Sequence, residues 1–215
     1  MTLTATEPLL LAEVFELIEP PPPMRPRFNI APTQTAPVVL DGPRRLELYR
    51  WGLLPPWTKE PRKGPPLINA RADGLATKPS FRAAFKTRRC LVAVDGWYEW
   101  KAGPDGKDPW RFRRPDGRPF ALAGLWESWK DEDGREVRSF CVVTTAPNAC
   151  AAEIHDRMPV IVPREAWPLW LEPRALTEAE QAALLRACPE DFVIAERASR
   201  RVNDARFDGP ECLSG

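Results

Sequence analysis

Cys90-Leu91-Val92-Ala93-Val94-Asp95-Gly96-Trp97-Tyr98-Glu99-Trp100 is a run of apolar, β-branched and aromatic residues, broken once by Asp95-Gly96. It reads as a long strand with a bulge or bend at the break. Side chains alternate across a strand, so Trp97 and Glu99 share one face while Tyr98 and Trp100 share the other. A carboxyl beside an indole loses hydration, which favours its protonated form and moves it toward general-acid range.

Outward from this stretch the chain alternates short strands with short helices. Thr6-Glu7-Pro8 caps a helix expected to run to about Ile18, and Pro20 to Pro23 forms a stiff extended connector. Runs 36–40 and 46–51 read as strands around Asp41-Gly42-Pro43. Residues 67–71 are extended, and Lys78-Pro79-Ser80-Phe81 opens a helix to about Thr87. Segments 110–114 and 119–126 are expected to form a hairpin around Asp116-Gly117, with a further strand at 137–145 and a short helix at 148–154. Helices follow at 163–171 and 177–187, the second with Thr177-x-x-Glu180 as a capping box. Segments 192–196 and 200–203 are expected to close the sheet. Few long helical crossovers separate the strands, so the expected class is α+β: a single domain over 1–215 with a curved, mostly antiparallel sheet and flanking short helices.

The hydrophobic share of 43% suffices for a core, and no apolar run approaches the roughly 20 residues of a membrane span. Leu9-Leu10-Leu11 is flanked by Glu7 and Glu13 rather than by a basic segment, so no signal peptide is read and a cytoplasmic monomer is expected. Cys90, Cys141, Cys150, Cys188 and Cys212 are odd in number and contain no C-x-x-C pair. With one histidine in the chain, neither a Cys/His metal site nor a disulfide framework is expected. Cofactors are expected to be none. Net charge is +1, but 24 of the 31 basic residues are arginine, whose planar fork suits phosphate. Clusters at Arg82-Lys86-Arg88-Arg89, Arg111-Arg113-Arg114-Arg118 and Arg197-Arg200-Arg201-Arg206 are therefore of interest, although for any single cluster a GC-rich genome that prefers Arg codons is the better explanation.

His155, in Ile154-His155-Asp156-Arg157-Met158-Pro159, is the only histidine and the one side chain whose ordinary titration lies near neutrality. A lone histidine is more often a satisfied core residue. Asn69 and Arg71 are i, i+2 neighbours, which in an extended segment presents an amide and a guanidinium together, suited to a sugar oxygen and an adjacent phosphate. An arginine paired with a nearby carboxylate is the alternative. Trp51 and Trp57 bracket Leu54-Pro55-Pro56, rigid wedges that can stack on or part bases, or belong to the core.

Seven stretches, in order, resemble the SRAP family, the SOS response-associated peptidases that shield abasic sites in DNA. They are Arg27-Phe28-Asn29-Ile30-Ala31-Pro32-Thr33, Trp51-Gly52-Leu53-Leu54-Pro55-Pro56-Trp57, Ile68-Asn69-Ala70-Arg71, Lys78-Pro79-Ser80-Phe81, Asp95-Gly96-Trp97-Tyr98-Glu99-Trp100-Lys101, Ala123-Gly124-Leu125-Trp126-Glu127 and Ile154-His155-Asp156-Arg157-Met158-Pro159. The ending, Asn203-Asp204 … Asp208-Gly209-Pro210-Glu211-Cys212, resembles the family's C-terminal region.

The resemblance implies a groove for single-stranded DNA containing abasic sites. It implies covalent capture by an N-terminal cysteine, whose amine forms an imine with the sugar aldehyde and whose thiol closes a thiazolidine. A terminal amine suits this role, because about a quarter to a third of it is free base near neutral pH. Associated lyase and self-processing peptidase activities are implied as well. By the same resemblance Asn69, Glu99 and His155 are catalytic, and Arg71, Arg157, Trp51, Trp57, Pro56 and Thr144 contact DNA.

One departure stands out. Family members begin Met-Cys-Gly-Arg, commonly followed by Phe and a stretch like Thr-Leu-Thr, whereas this sequence begins Met1-Thr2-Leu3-Thr4. Met1 stands where Phe would be. The preferred explanation is a start assigned too late in the reading frame. A non-catalytic single-strand binder that keeps the groove without the nucleophile is the alternative. A cysteine peptidase acting on other proteins is poorly supported, because none of the five cysteines has a nucleophile's context.

Overall fold

Helix α1 (Pro8–Phe15) carries its proline in the first turn, where a missing N–H costs nothing, and buries Leu11 and Phe15. It stops short of Ile18 because Glu16 turns left-handed, with φ of 51°. Strands β1 (Thr35–Val39) and β2 (Leu46–Trp51) pair antiparallel across a turn in which Gly42 takes a φ of 87°. After β3 (Asn69–Arg71) and α2 (Pro79–Thr87), the stretch that opened the sequence reading splits into β4 (Arg89–Val94) and β5 (Trp97–Gly103). Then come β6 (Gly106–Arg113), β7 (Phe120–Lys130), β8 (Glu136–Thr145), α3 (Ala149–Ala152) and β9 (Met158–Pro159). The last elements are α4 (Trp167–Leu171), α5 (Glu178–Leu184) and β10 (Ile194–Arg197). This computed structural model describes residues 1–59, 64–104 and 106–215.

The strands divide between two sheets. The larger has the order β2-β1-β4-β7-β8-β3, with β9 on β8, and β2 also pairs parallel with β8 through Arg50–Ser139 and Trp51–Phe140. The circuit β2–β1–β4–β7–β8 therefore closes on itself, which removes free edges and encloses the main core. Every position of β4 is buried, as expected for a strand inside a covered sheet. Arg89 is buried there too, and its guanidinium donates to the carbonyls of Phe85, Trp170, Glu172 and Arg174 at the ends of α2 and α4. It satisfies helix-terminal acceptors that would otherwise be stranded. The smaller sheet has the order β10-β6-β5. The class is α+β with mostly antiparallel pairing, as the sequence implied.

Asp95-Gly96 is the hinge between the sheets rather than a bulge within one strand. A Cβ on Gly96 would stand 2.8 Å from the Arg111 side chain, the Phe112 carbonyl and the Thr2 hydroxyl, so only glycine fits. The expected hairpin between 110–114 and 119–126 does not form. Strand β6 pairs with β5 and β10, while β7 pairs with β4 and β8. Pro115 and Pro119 flank the turn and supply no ladder donors, so the chain passes from one sheet to the other there. Segment 200–203 is also not a strand. It is the 3-10 turn Arg200–Asn203, whose cap Ser199 accepts from the Arg201 N–H. Of segment 192–196, Phe192 ends a 3-10 turn and only Ile194–Arg197 is extended, pairing with β6 in the smaller sheet. The helix expected over 177–187 has its capping box but ends at Leu184.

Candidate active site

Strand β5 leaves the hinge with its two faces committed differently. Tyr98 donates its hydroxyl to the Phe28 carbonyl at 2.7 Å, and the Trp100 indole donates to Asn203 Oδ1 at 2.8 Å. These bonds tie one face to distant chain. Trp97 and Glu99 occupy the other face, and all four residues line a cavity of about 380 Å³ together with Met1, Trp51, Asn69 and Thr144. Glu99 also lines an adjoining cavity of about 400 Å³ with Lys107, His155 and Asn203. Glu99, Trp100 and Asn203 form the wall that the two share.

Burial pushes the Glu99 carboxyl up to about 7, against the opposing pull of His155, the Met1 amine and the Trp97 N–H. His155 Nδ1 lies 3.9 Å from Glu99 Oε2 and 3.3 Å from Asp156 Oδ1. That same Nδ1 lies 3.1 Å from the Arg157 backbone nitrogen and 3.2 Å from the Arg157 carbonyl, so either tautomer finds a partner there. The histidine is half-exposed rather than a core residue.

Asn69 and Arg71 are the exposed outer positions of β3, with Ala70 buried between them. Parallel pairing sets Arg71 opposite Thr144 on β8, and Arg157 Nη2 donates to the Thr144 carbonyl at 3.1 Å. Thus Arg71, Thr144 and Arg157 stand together at the rim. Asp73, which the sequence reading did not single out, joins them. It accepts from Arg71 at 2.9 and 3.3 Å and lies 4.0 Å from Arg157. Its signal was the carboxylate two residues after Arg71, the arrangement weighed there only as the plain alternative.

The bracketing tryptophans part company. Trp51 is half-buried, lines the cavity, and donates its indole N–H to the Ile68 carbonyl at 2.9 Å. Pro56 and Trp57 are exposed on the following loop, and neither lines either of the two cavities. Several members of the arginine clusters have carboxylate partners: Arg111 with Asp95 in the interior, Arg88 with Glu127 and Arg113 with Glu196 partly buried, and Arg114 with Asp116 and Arg206 with Asp204 at the surface. Cys90, Cys141, Cys188 and Cys212 are buried, and burial raises each thiol above its ordinary range. Neither cavity beside Glu99 is lined by a cysteine.

The start of the chain sits in the site. The Met1 α-amino group donates to the Ile30 carbonyl at 2.9 Å and is fully buried, which lowers it to about 5. Asp95 holds the following residues. Its carboxylate accepts from Thr2 Oγ1 at 2.5 Å, the Thr4 N–H at 2.5 Å, Thr4 Oγ1 at 2.7 Å and the Ala5 N–H at 3.0 Å, and it pairs with Arg111 at 3.1 Å.

A family model described as SOS response associated peptidase (SRAP) matches residues 1–205. The abasic site processing protein YoqW of Bacillus subtilis is 38% identical over 191 residues, covering 87% of this chain and 85% of its own. YedK of Escherichia coli, also named an abasic site processing protein, is 32% identical over 209 residues, covering 95% and 91%. A crystal structure of a Bordetella bronchiseptica protein superposes with a TM-score of 0.78 at 24% identity, over 92% of this chain and 98% of that one, which supports the fold. Seven ordered motifs, the shared fold and a match spanning nearly the whole chain agree: this protein belongs to the SOS response associated peptidase family.

Proposed function

We propose that this protein recognises abasic sites in single-stranded DNA, and that Glu99 and His155 manage the proton transfers of capture at the opened sugar. The observation that carries this reading is the single cavity that Asn69 and Glu99 line together with Met1, the residue that opens the N-terminal segment. The relatives YoqW and YedK, named for abasic site processing, favour the same substrate.

In this scheme the sugar's ring-opened aldehyde enters the cavity, Asn69 holds its oxygens, and Arg71 and Arg157 hold the flanking phosphates. An amine adds to the aldehyde carbon, and loss of water leaves an imine. Glu99, protonated to about pH 7, donates the proton that lets the hydroxyl leave, and His155 exchanges protons on the open side. Where the amine belongs to an N-terminal cysteine, its thiol adds across the C=N bond and passes its proton to nitrogen, closing a stable thiazolidine. The imine also acidifies the neighbouring carbon, so β-elimination at the 3′ side is the accompanying lyase reaction. Self-cleavage that exposes the cysteine would be the peptidase step.

Equilibrium binding tests the groove. Single strands with and without a tetrahydrofuran abasic analogue are titrated across a salt series. With about three or four phosphates contacted, the log–log slope should be roughly −2 to −3, with tighter binding of the abasic strand. No binding at low salt, or binding indifferent to salt, contradicts the assignment.

A further inference from the structure

The Trp97 indole N–H is buried and makes no hydrogen bond among the described residues. A buried donor left unpaired costs about 1–3 kcal/mol, so its persistence in a cavity wall calls for a reason. The ring cannot turn to seek a partner. Across the β5–β6 register it stacks on Phe112, centroids 4.7 Å apart and planes 10° apart, and Phe120 meets it edge-on at 6.2 Å. The indole is therefore locked between two rings, on the same strand face as Glu99 and against the same cavity.

We propose that Trp97 is a positioning residue for Glu99, its indole N–H held in reserve to close on the Glu99 carboxylate once that group has given up its proton. Two residues apart on one face of β5, the donor and the carboxyl need only a small side-chain adjustment to meet. The N–H stands near enough to the carboxyl to oppose the effect of burial, yet short of a formed hydrogen bond. A neutral carboxyl gains little from such a donor, whereas a carboxylate gains a charge-assisted bond. The bond thus favours the ionised form and stops burial from locking Glu99 in its acid form. A group that must give up a proton and take it back needs both states within reach.

Other charges face Glu99 from the surrounding elements: His155 and Asp156 from the loop after α3, the Met1 amine from the N-terminal segment, and Lys107 from β6. Each of these is mobile or solvated to some degree, or titrates itself. The indole N–H is the fixed, uncharged donor among them. Its role rests on Glu99 being the proton-transfer group proposed above, but the link between the two residues can be read in the free protein, without DNA.

Trp97→Phe keeps an aromatic ring in the stack and deletes the donor. The Glu99 titration is followed by carboxyl carbon NMR in the parent and in Trp97→Phe, with thermal melting alongside. The midpoint should move about one pH unit alkaline in the variant, while the melting temperature holds or rises because an unpaired buried donor has gone. An unmoved or acid-shifted midpoint would overturn the proposal. Should Trp97→Phe fail to fold, the native chain still answers. The Trp97 indole proton resonance should move downfield as Glu99 ionises, and stay still over the same pH range in Glu99→Gln. A resonance that ignores Glu99 ionisation, or shifts identically in Glu99→Gln, refutes the link. If Trp97 behaves as proposed yet abasic strands are not preferred in the binding titration, it is the functional reading that fails.

Discussion

His155 Nδ1 lies 3.9 Å from Glu99 Oε2, too far for a hydrogen bond but close enough for the charge on either group to bias the other. The two stand in unlike surroundings. Glu99 is buried in the wall between two cavities, while His155 is half-exposed and backed by Asp156 and the Arg157 backbone. Burial in those surroundings is what lets the Glu99 carboxyl keep its proton to near neutrality.

Burying Glu99 has a stability consequence. Its folded midpoint, about 7, lies above the ordinary 4.5, so between those values the folded state holds more protons than the unfolded one. Stability from this group is therefore greatest below about pH 4.5 and declines as pH rises toward 7, by about 3 kcal/mol in all. The Met1 amine, lowered to about 5 by burial, works in the opposite sense and is itself raised by Glu99, so the variant-minus-parent difference reads the carboxyl together with its coupling to that amine. Glu99→Gln should unfold at higher denaturant than the parent at pH 8 and at nearly the same denaturant at pH 4. Equal gains at both pH values would contradict the burial effect.

Asp95 is the anchor of the N-terminal segment. Asp95→Ala removes four bonds to residues 2–5 and leaves Arg111 buried without its main partner, for a loss of about 3–5 kcal/mol. Burial alone would raise this carboxyl, but hydrogen bonds from Thr2 and Thr4 outweigh it and hold it below the ordinary range. Its contribution is therefore present above about pH 4 and lost as pH falls through the depressed folded value. Chemical denaturation at pH 7 and pH 3 should show a gap between parent and variant that narrows in acid. A gap that widens in acid would mean the carboxylate is not the stabilising form.

The rim should behave as a phosphate seat with a competitor built in. Arg71→Ala and Arg157→Ala should each weaken single-strand binding and reduce the salt slope by about one. Asp73 occupies the Arg71 fork in the free protein, so Asp73→Asn should tighten binding to abasic and intact strands alike. Fluorescence anisotropy across a salt series reads all three. Weaker binding by Asp73→Asn would show that the carboxylate orients the arginines rather than competing with the strand.

Local periodicity made part of this site legible before any fold was seen. Two-residue alternation sufficed to place Trp97 with Glu99 and Asn69 with Arg71, because a strand's faces are set by neighbours in sequence. The β1–β2 hairpin was legible for the same reason, its turn chemistry lying between the two strands. What escaped depends on pairing over distance. Nothing near Arg50 or Asn69 announces a parallel partner in β8, and so neither the closed circuit nor the meeting of Arg71 with Thr144 was foreseen. The role of Asp95 needed Thr2, Thr4 and Arg111 brought in from both sides. The prolines at 115 and 119 were a readable warning against the hairpin drawn through them, and Asp116-Gly117 was given too much weight.

Denaturing electrophoresis after incubation with an abasic single strand tests the central claim most directly. The chain that starts at Met1 is compared with one in which Met1 is replaced by Met-Cys-Gly-Arg-Phe. The first has an amine in the cavity but no adjoining thiol, so any imine it forms should hydrolyse and leave no shifted band. The second should give a crosslink that survives heating. A robust heat-stable crosslink from the first chain, or a second chain that binds the strand yet never crosslinks it, would contradict the account.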